Sequence, residues 1–189
     1  MRTLTLSIAA FLTAVGAYAQ GNVTFANVGA GLNAPVFDVD GVTRLGGLAF
    51  RAQLYVGSSA SESSLTAVPG ATPFLGTTPP FAGFFNAGVK TLPGFPAGSR
   101  PFFQVRAWEA AGGTSYDAAL AAGKKVGKSA VFELADRWGL TDPSGMPPGP
   151  PPLLLGLTSF SLVPEPPAIA LGIAGAVAVF LFATRRRCA

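Results

Sequence analysis

The sequence predicts an all-β domain, a two-sheet β-sandwich of jelly-roll-like or related topology with one short helix. Three observations carry that prediction. Apolar residues recur at every second position through several segments, as half-buried strands require. Gly and Pro, 24 and 17 of the 189 residues, punctuate the chain at short intervals. Only one stretch carries both a helix start and a helix stop.

Taken in order, residues 21–27 open the domain, with Val23 and Phe25 on one face. Residues 36–39 and 42–45 flank Asp40-Gly41, a pattern that predicts a hairpin closed by a type I′ turn. Phe50, Ala52, Leu54 and Val56 then alternate with Arg51, Gln53 and Tyr55, the clearest strand signal in the chain. A serine-rich loop over 58–64 leads to a short strand at 65–68. Pro69, Pro73, Pro79 and Pro80 then break any long element, and a strand is expected around 84–89. Phe103, Val105 and Ala107 alternate with Phe102, Gln104, Arg106 and Trp108, predicting a central strand with one covered face. The helix is expected at 116–122, entered through Thr114 or Ser115 and stopped by Gly123. Residues 131–134 resume extended structure, 147–152 form a polyproline-like link, and 153–162 read as a last apolar strand.

Both ends carry targeting patterns. Residues 1–19 read as a signal peptide, with Arg2 as the positive n-region, an apolar core over 4–15, and Ala17-Tyr18-Ala19 as an A-x-A site cleaved before Gln20. The exported domain then covers 20–162, and a sorting tail covers 163–189. In that tail Pro164, Pro166 and Pro167 hold the chain extended. Residues 168–184 carry no charge. As a helix rising ~1.5 Å per residue they reach about 25 Å, just short of a ~30 Å hydrocarbon core. Arg185, Arg186 and Arg187 follow as a stop-transfer signal that keeps this end cytoplasmic, so one C-terminal transmembrane helix is expected, with residues 20–162 outside.

The succession of Val163-Pro164-Glu165-Pro166, an uncharged span and an arginine cluster resembles the PEP-CTERM protein-sorting signal of Gram-negative bacteria. That resemblance covers the tail. It implies recognition of Pro164, Glu165 and Pro166 in the inner membrane by an exosortase, an integral-membrane cysteine transpeptidase. Delivery to a cell surface or matrix, in company with exopolysaccharide, is what it implies next. The stretches Phe50-Arg51-Ala52-Gln53-Leu54-Tyr55-Val56-Gly57 and Val105-Arg106-Ala107-Trp108 are likewise similar to exported PEP-CTERM domains, a resemblance that supplies no activity.

Composition narrows the chemistry. The full chain has a formal charge of +4, yet nine basic and eight acidic residues lie between Gln20 and Val163. A nearly neutral cargo has no electrostatic footprint for nucleic acid. There is no histidine, and the single cysteine is Cys188. The domain therefore lacks the usual ligands of zinc, copper and haem and cannot build a Ser-His-Asp or Cys-His pair, so no cofactor, metal site or nucleophilic catalyst is expected. Gly123-Lys124-Lys125-Val126-Gly127-Lys128-Ser129 ends like a phosphate loop but is one residue short and in reversed context. Asp38-Val39-Asp40-Gly41 resembles the start of a calcium loop without its later oxygens.

Three functional expectations follow. The first is an exported, non-catalytic surface or matrix protein whose partners are the secretion translocon, an exosortase, and the membrane through residues 168–184 before processing. The alternative is a carbohydrate-binding or adhesive module of an exopolysaccharide matrix, with Tyr55, Trp108, Tyr116 and Trp138 as stacking platforms. The third is a glycan hydrolase using a carboxylate pair drawn from Glu109, Asp117 and Glu133.

Overall fold

The computed structural model describes residues 20–134, 139–141 and 150–164. Over these residues the chain is all-β apart from one α-helix and three single 3-10 turns. The signal peptide, Trp138, Glu165, Pro166, the span 168–184, Arg185, Arg186, Arg187 and most of the proline link lie outside the described residues.

Strand β1 (Gln20–Ala26) carries Val23 and Phe25 fully buried into the core, as their alternation requires. Its edge away from residues 86–96 is paired too: Asn22 bridges Thr141, and the N–H of Thr24 donates to Pro152 O at 2.8 Å. A small hairpin of β2 (Val28–Gly29) and β3 (Leu32–Asn33) follows, then β4 (Val36–Phe37), which opens the expected second hairpin through a Phe37–Arg44 bridge. Its turn is not type I′. That turn needs positive φ at both central residues, and here Gly41 (φ 69°) has it while Asp40 does not. Asp40 instead accepts the backbone N–H groups of Val42 and Thr43 on Oδ1, at 2.9 and 2.8 Å, and the Thr43 hydroxyl on Oδ2 at 2.6 Å. The carboxylate holds the loop by the local bonding that suits Asp to turns.

The main sheet is built on β5 (Phe50–Gly57) and β9 (Phe102–Glu109), paired antiparallel without a break from Phe50↔Glu109 to Gly57↔Phe102. Short strands flank them. Outside β5 lie β6 (Thr66–Ala67) and β7 (Thr72–Pro73), and outside β9 lie β10 (Val126–Lys128) and β11 (Phe132–Glu133). Strand β8 (Asn86–Pro96) pairs with β1 in a two-stranded ribbon and runs well past the expected 84–89. Among the described residues β1 is its one partner strand, so Pro93 can sit in it without removing a bond from a second ladder. The last apolar segment is likewise not one strand. Gly156 (φ 114°) and a Leu157 N–H to Leu154 O bond reverse the chain, and only β12 (Phe160–Ser161) is extended pairing. Leu154, Leu157 and Leu162 are nevertheless buried, so the apolar run reports core contact rather than strand geometry.

One apolar cluster joins the ribbon to the sheet: Val23, Phe25 and Leu92 meet Ala52, Leu54, Val56, Phe103, Val105 and Ala107. Phe85 anchors it, 4.8 Å from Phe25 and edge-on to Phe74 at 5.7 Å between centroids. The opposite face of β9 is covered by α1 (Tyr116–Ala121) through a second cluster of Trp108, Tyr116, Ala119 and Val126. The helix starts and stops as its sequence predicts. Ser115 Oγ accepts the Ala118 N–H at 3.1 Å, and Gly123 follows at φ 61°.

Asn27, fully buried, ties three segments together. Its amide donates to Ala34 O at 2.8 Å and Gly83 O at 2.9 Å, and its Oδ1 accepts the Phe85 N–H at 2.7 Å. Asn27→Ala would strand Ala34 O and the Phe85 N–H, each costing about 1–3 kcal/mol when buried unpaired, while Gly83 O keeps the Val36 N–H at 3.0 Å. The expected loss is about 2 kcal/mol or more in urea denaturation. Asn27→Asp, which keeps the shape but lacks the donors, should recover little of it, and a loss under about 1 kcal/mol in Asn27→Ala would refute the tie.

Candidate functional site

Two regions concentrate the residues that sequence reasoning singled out. The first is the junction with the tail. Strand β12 runs parallel to β4, and the Leu162 N–H donates to Phe37 O at 2.9 Å. Val163 then bridges β10 from its open side: its N–H donates to Val126 O at 2.7 Å, and its carbonyl accepts the Val126 N–H at 3.3 Å. Close approach depends on Gly127, where a Cβ would lie 2.7 Å from Ser161 O and 3.0 Å from Leu162 Cα. The Val163 side chain and Pro164 are exposed, as is Gln20 at the start of β1. Glu165 and Pro166, like Ala17 and Ala19, lie outside the described residues.

The second region is a cleft of about 450 Å³ on the face of β9 and β10 turned away from the main core. Its floor is a polar network. Gln104, fully buried, donates to Glu62 Oε1 at 3.2 Å and Ser129 O at 3.0 Å, and its Oε1 accepts from Arg106 Nε at 2.8 Å. The Arg106 guanidinium lies 4.0 Å from the Tyr55 ring centroid and 5.2 Å from that of Tyr116, so each ring offers it a negative π face. At the rim Lys128 Nζ donates to Glu62 Oε2 at 2.6 Å. Burial pushes the Tyr55 phenol up, so it stays a neutral hydroxyl. The Lys128 hydrogen bond holds the Glu62 carboxyl below its ordinary range.

The structure brings Tyr55 and Tyr116 together but does not present them as a platform. Both are buried, with Arg106 against their rings. Trp108 is corrected more firmly. It is 0% exposed and its Nε1 donates to Gly113 O at 3.1 Å, so the indole is a core anchor with no face left for a sugar. Trp138 lies outside the described residues. Glu109 and Glu133 are not a pair either: Glu133 sits opposite Phe102 and Glu109 ends the same strand, a separation of roughly 23 Å at ~3.3 Å per residue. Two-carboxylate hydrolysis needs about 5–9.5 Å. Asp117 borders the cleft, while Glu133 pairs with Arg100 at 3.1 Å.

The other motifs find local roles. The GKS segment enters β10 rather than a helix, and Ser129 Oγ, buried, accepts the Val105 N–H at 3.0 Å. Asp38 accepts from Lys125 Nζ on both oxygens, at 3.0 and 2.8 Å, and from the Val39 N–H on Oδ1 at 2.8 Å, and Asp40 serves its own turn. Among the described residues no three His, Cys, Asp or Glu side chains cluster as a metal site would need. Sequence reasoning missed Arg106, Gln104, Glu62 and Lys128 as one assembly. The available signal was the polar side of the β9 alternation, where Gln104 and Arg106 occupy positions that a solvated face would also explain.

The Glu62–Lys128 contact makes a titration prediction. A carboxyl depressed in the folded state contributes stability above its unfolded value, and that stability is lost as pH falls through the folded value. In carbon-detected NMR the Glu62 carboxyl should titrate below 4.5, its ordinary value, and move upward in Lys128→Ala. An unchanged midpoint in that variant would show that Lys128 is not the cause.

No family model, curated protein or solved structure matches the chain.

Proposed function

We propose that this is an exported, non-catalytic cell-surface or matrix protein, its β-sandwich cargo delivered through a signal peptide and processed at the Val163-Pro164-Glu165-Pro166 motif by an exosortase-type transpeptidase. The sandwich is the arrangement in which the β1–β8 ribbon and the main sheet cover the shared core from opposite sides, as cluster membership supports. Before processing, residues 168–184 hold the chain in the membrane, with Arg185, Arg186 and Arg187 on the cytoplasmic side.

The observation that carries this reading is the edge bridge of Val163. Both of its backbone groups are bonded to Val126, whereas the exposed Pro164 has no N–H to bond. A transpeptidase needs an extended chain free of sheet bonds to reach a carbonyl carbon. Pro164, the first residue past the bridge and the first proline of the motif, offers such a position. The cargo beyond the bridge would keep its last strand intact after the cut. Against the hydrolase reading stands the distance between Glu109 and Glu133. Against a stacking module stands the burial of Tyr55, Trp108 and Tyr116.

Intact mass spectrometry of native protein from the cell surface or medium tests the proposal. The expected species begins at Gln20 and ends within residues 164–166, with any added mass marking the acceptor. Replacing Pro164, Glu165 and Pro166 by Ala should leave a membrane-bound chain retaining Arg187-Cys188-Ala189. Wild-type protein that still ends in those three residues would overturn processing and leave a plain anchor.

A further inference from the structure

We infer that the cleft beside Arg106 is a binding site for a neutral saccharide, a ligand rich in vicinal hydroxyls. The inference is independent of tail processing, since it stands on the geometry of the cargo. The cavity, about 450 Å³, falls in the ~300–1,000 Å³ range of small-molecule sites. Its lining combines opposed polar groups with apolar surface: Glu62 and Asp117 as acceptors, Arg106 and Lys128 as donors, and Tyr116 and Leu120 between them.

Preorganisation separates this cleft from an ordinary surface groove. Arg106 is fixed along its stem by Gln104 and across its plane by two tyrosine rings. A guanidinium has five N–H donors in a rigid fork; Gln104 takes Nε–H, and the Tyr55 hydroxyl is a second hydrogen-bond partner of the group. Five donors exceed what these two partners take, and Arg106 lines the cleft, so the fork can serve a ligand there while losing little freedom on binding. Glu62 is fixed in turn by Lys128 and Gln104.

Charge balance selects the class of ligand. Two carboxylates and two cations line the cleft, and Lys128 is already neutralised by Glu62. What remains is Arg106 facing a cleft shared with Asp117, a donor and an acceptor of opposite charge. Vicinal hydroxyls satisfy both at once, because each hydroxyl donates one bond and accepts others. A uronate or sulfated sugar would bring its anion against Asp117 and Glu62. The C–H face of a sugar ring also suits the half-buried apolar side chain of Leu120.

The test titrates the full chain in detergent micelles, by calorimetry, with oligosaccharides of glucose, galactose and mannose and with a matched glucuronate series. At least one neutral series should bind, and the glucuronates more weakly. Asp117→Asn and Glu62→Gln, at exposed and half-exposed positions, should each weaken binding by about tenfold with the thermal melt retained, as loss of one charge-assisted hydrogen bond predicts. Arg106→Lys, which keeps the charge and loses the fork, should do the same. Lys90→Ala, a residue of β8 bonded to Pro69 O and Gly70 O, should leave affinity unchanged. Absence of binding by all three neutral series, a preference for glucuronate, or affinity untouched by both Asp117→Asn and Glu62→Gln would each overturn the assignment.

Discussion

The unbroken register between β5 and β9 is the constraint on which everything else in this domain depends. Side chains alternate across a strand, so a slip of one residue would exchange the two faces. Ala52, Leu54, Val56, Phe103, Val105 and Ala107 would leave the core, and Arg51, Gln53 and Arg106 would have to enter it, where an unpaired charge is costly. The same register builds the other face. It sets Tyr55 opposite Gln104 and Gln53 opposite Arg106, and the diagonal between those pairs brings the Tyr55 ring within 4.0 Å of the guanidinium. Core and cleft are two sides of one pairing.

That division explains what could be read in the sequence. Strands β1, β5 and β9 were legible because each writes its buried face locally, at every second residue. The helix was legible because Ser115 and Gly123 punctuate it by bonds and backbone geometry confined to a few positions. Asn27 was not. Its partners Gly83 and Phe85 lie more than fifty positions away, so nothing around it in the chain distinguishes a buried tie from a turn residue. The Asp40-Gly41 hairpin was placed correctly but given the wrong turn, since the dipeptide rule does not anticipate a carboxylate bonding two backbone N–H groups beyond itself. Trp108 misled for a different reason. Position in the alternation places it opposite the core, yet α1 covers that face too and makes a second interior.

Charge plays a positional part. Among the described residues the ion pairs Arg100–Glu133, Lys125–Asp38 and Lys128–Glu62 are all partly exposed, and such pairs contribute only ~0–1 kcal/mol each. Their effect is to register loops against the sheet. Lys125, its ammonium pushed up by the Asp38 carboxylate, joins the start of β10 to the hairpin that begins at β4. Because β4 pairs with β12, that contact brackets the path by which the chain leaves the domain. Stability itself rests on the apolar cluster and the satisfied buried amides, as expected for a chain with only 12% charged residues.

The exit path and the cleft share one stretch of backbone. Ser161 and Val163 border the cleft, and the same residues are the last to be paired before the exposed Pro164. Val163 is held by two backbone bonds to one residue, whereas β9 is held along its whole length by β5. A pull on the tail would therefore break the Val163 bridge long before it disturbed the main sheet. Losing that bridge would open one wall of the cleft while leaving the Arg106–Gln104 floor in place, because the bonds and ring contacts that hold it run to Glu62, Ser129, Tyr55 and Tyr116. The segment from β12 to Val163 is a detachable wall on a fixed floor, and the glycine at 127 is what allows that wall to close against the sheet.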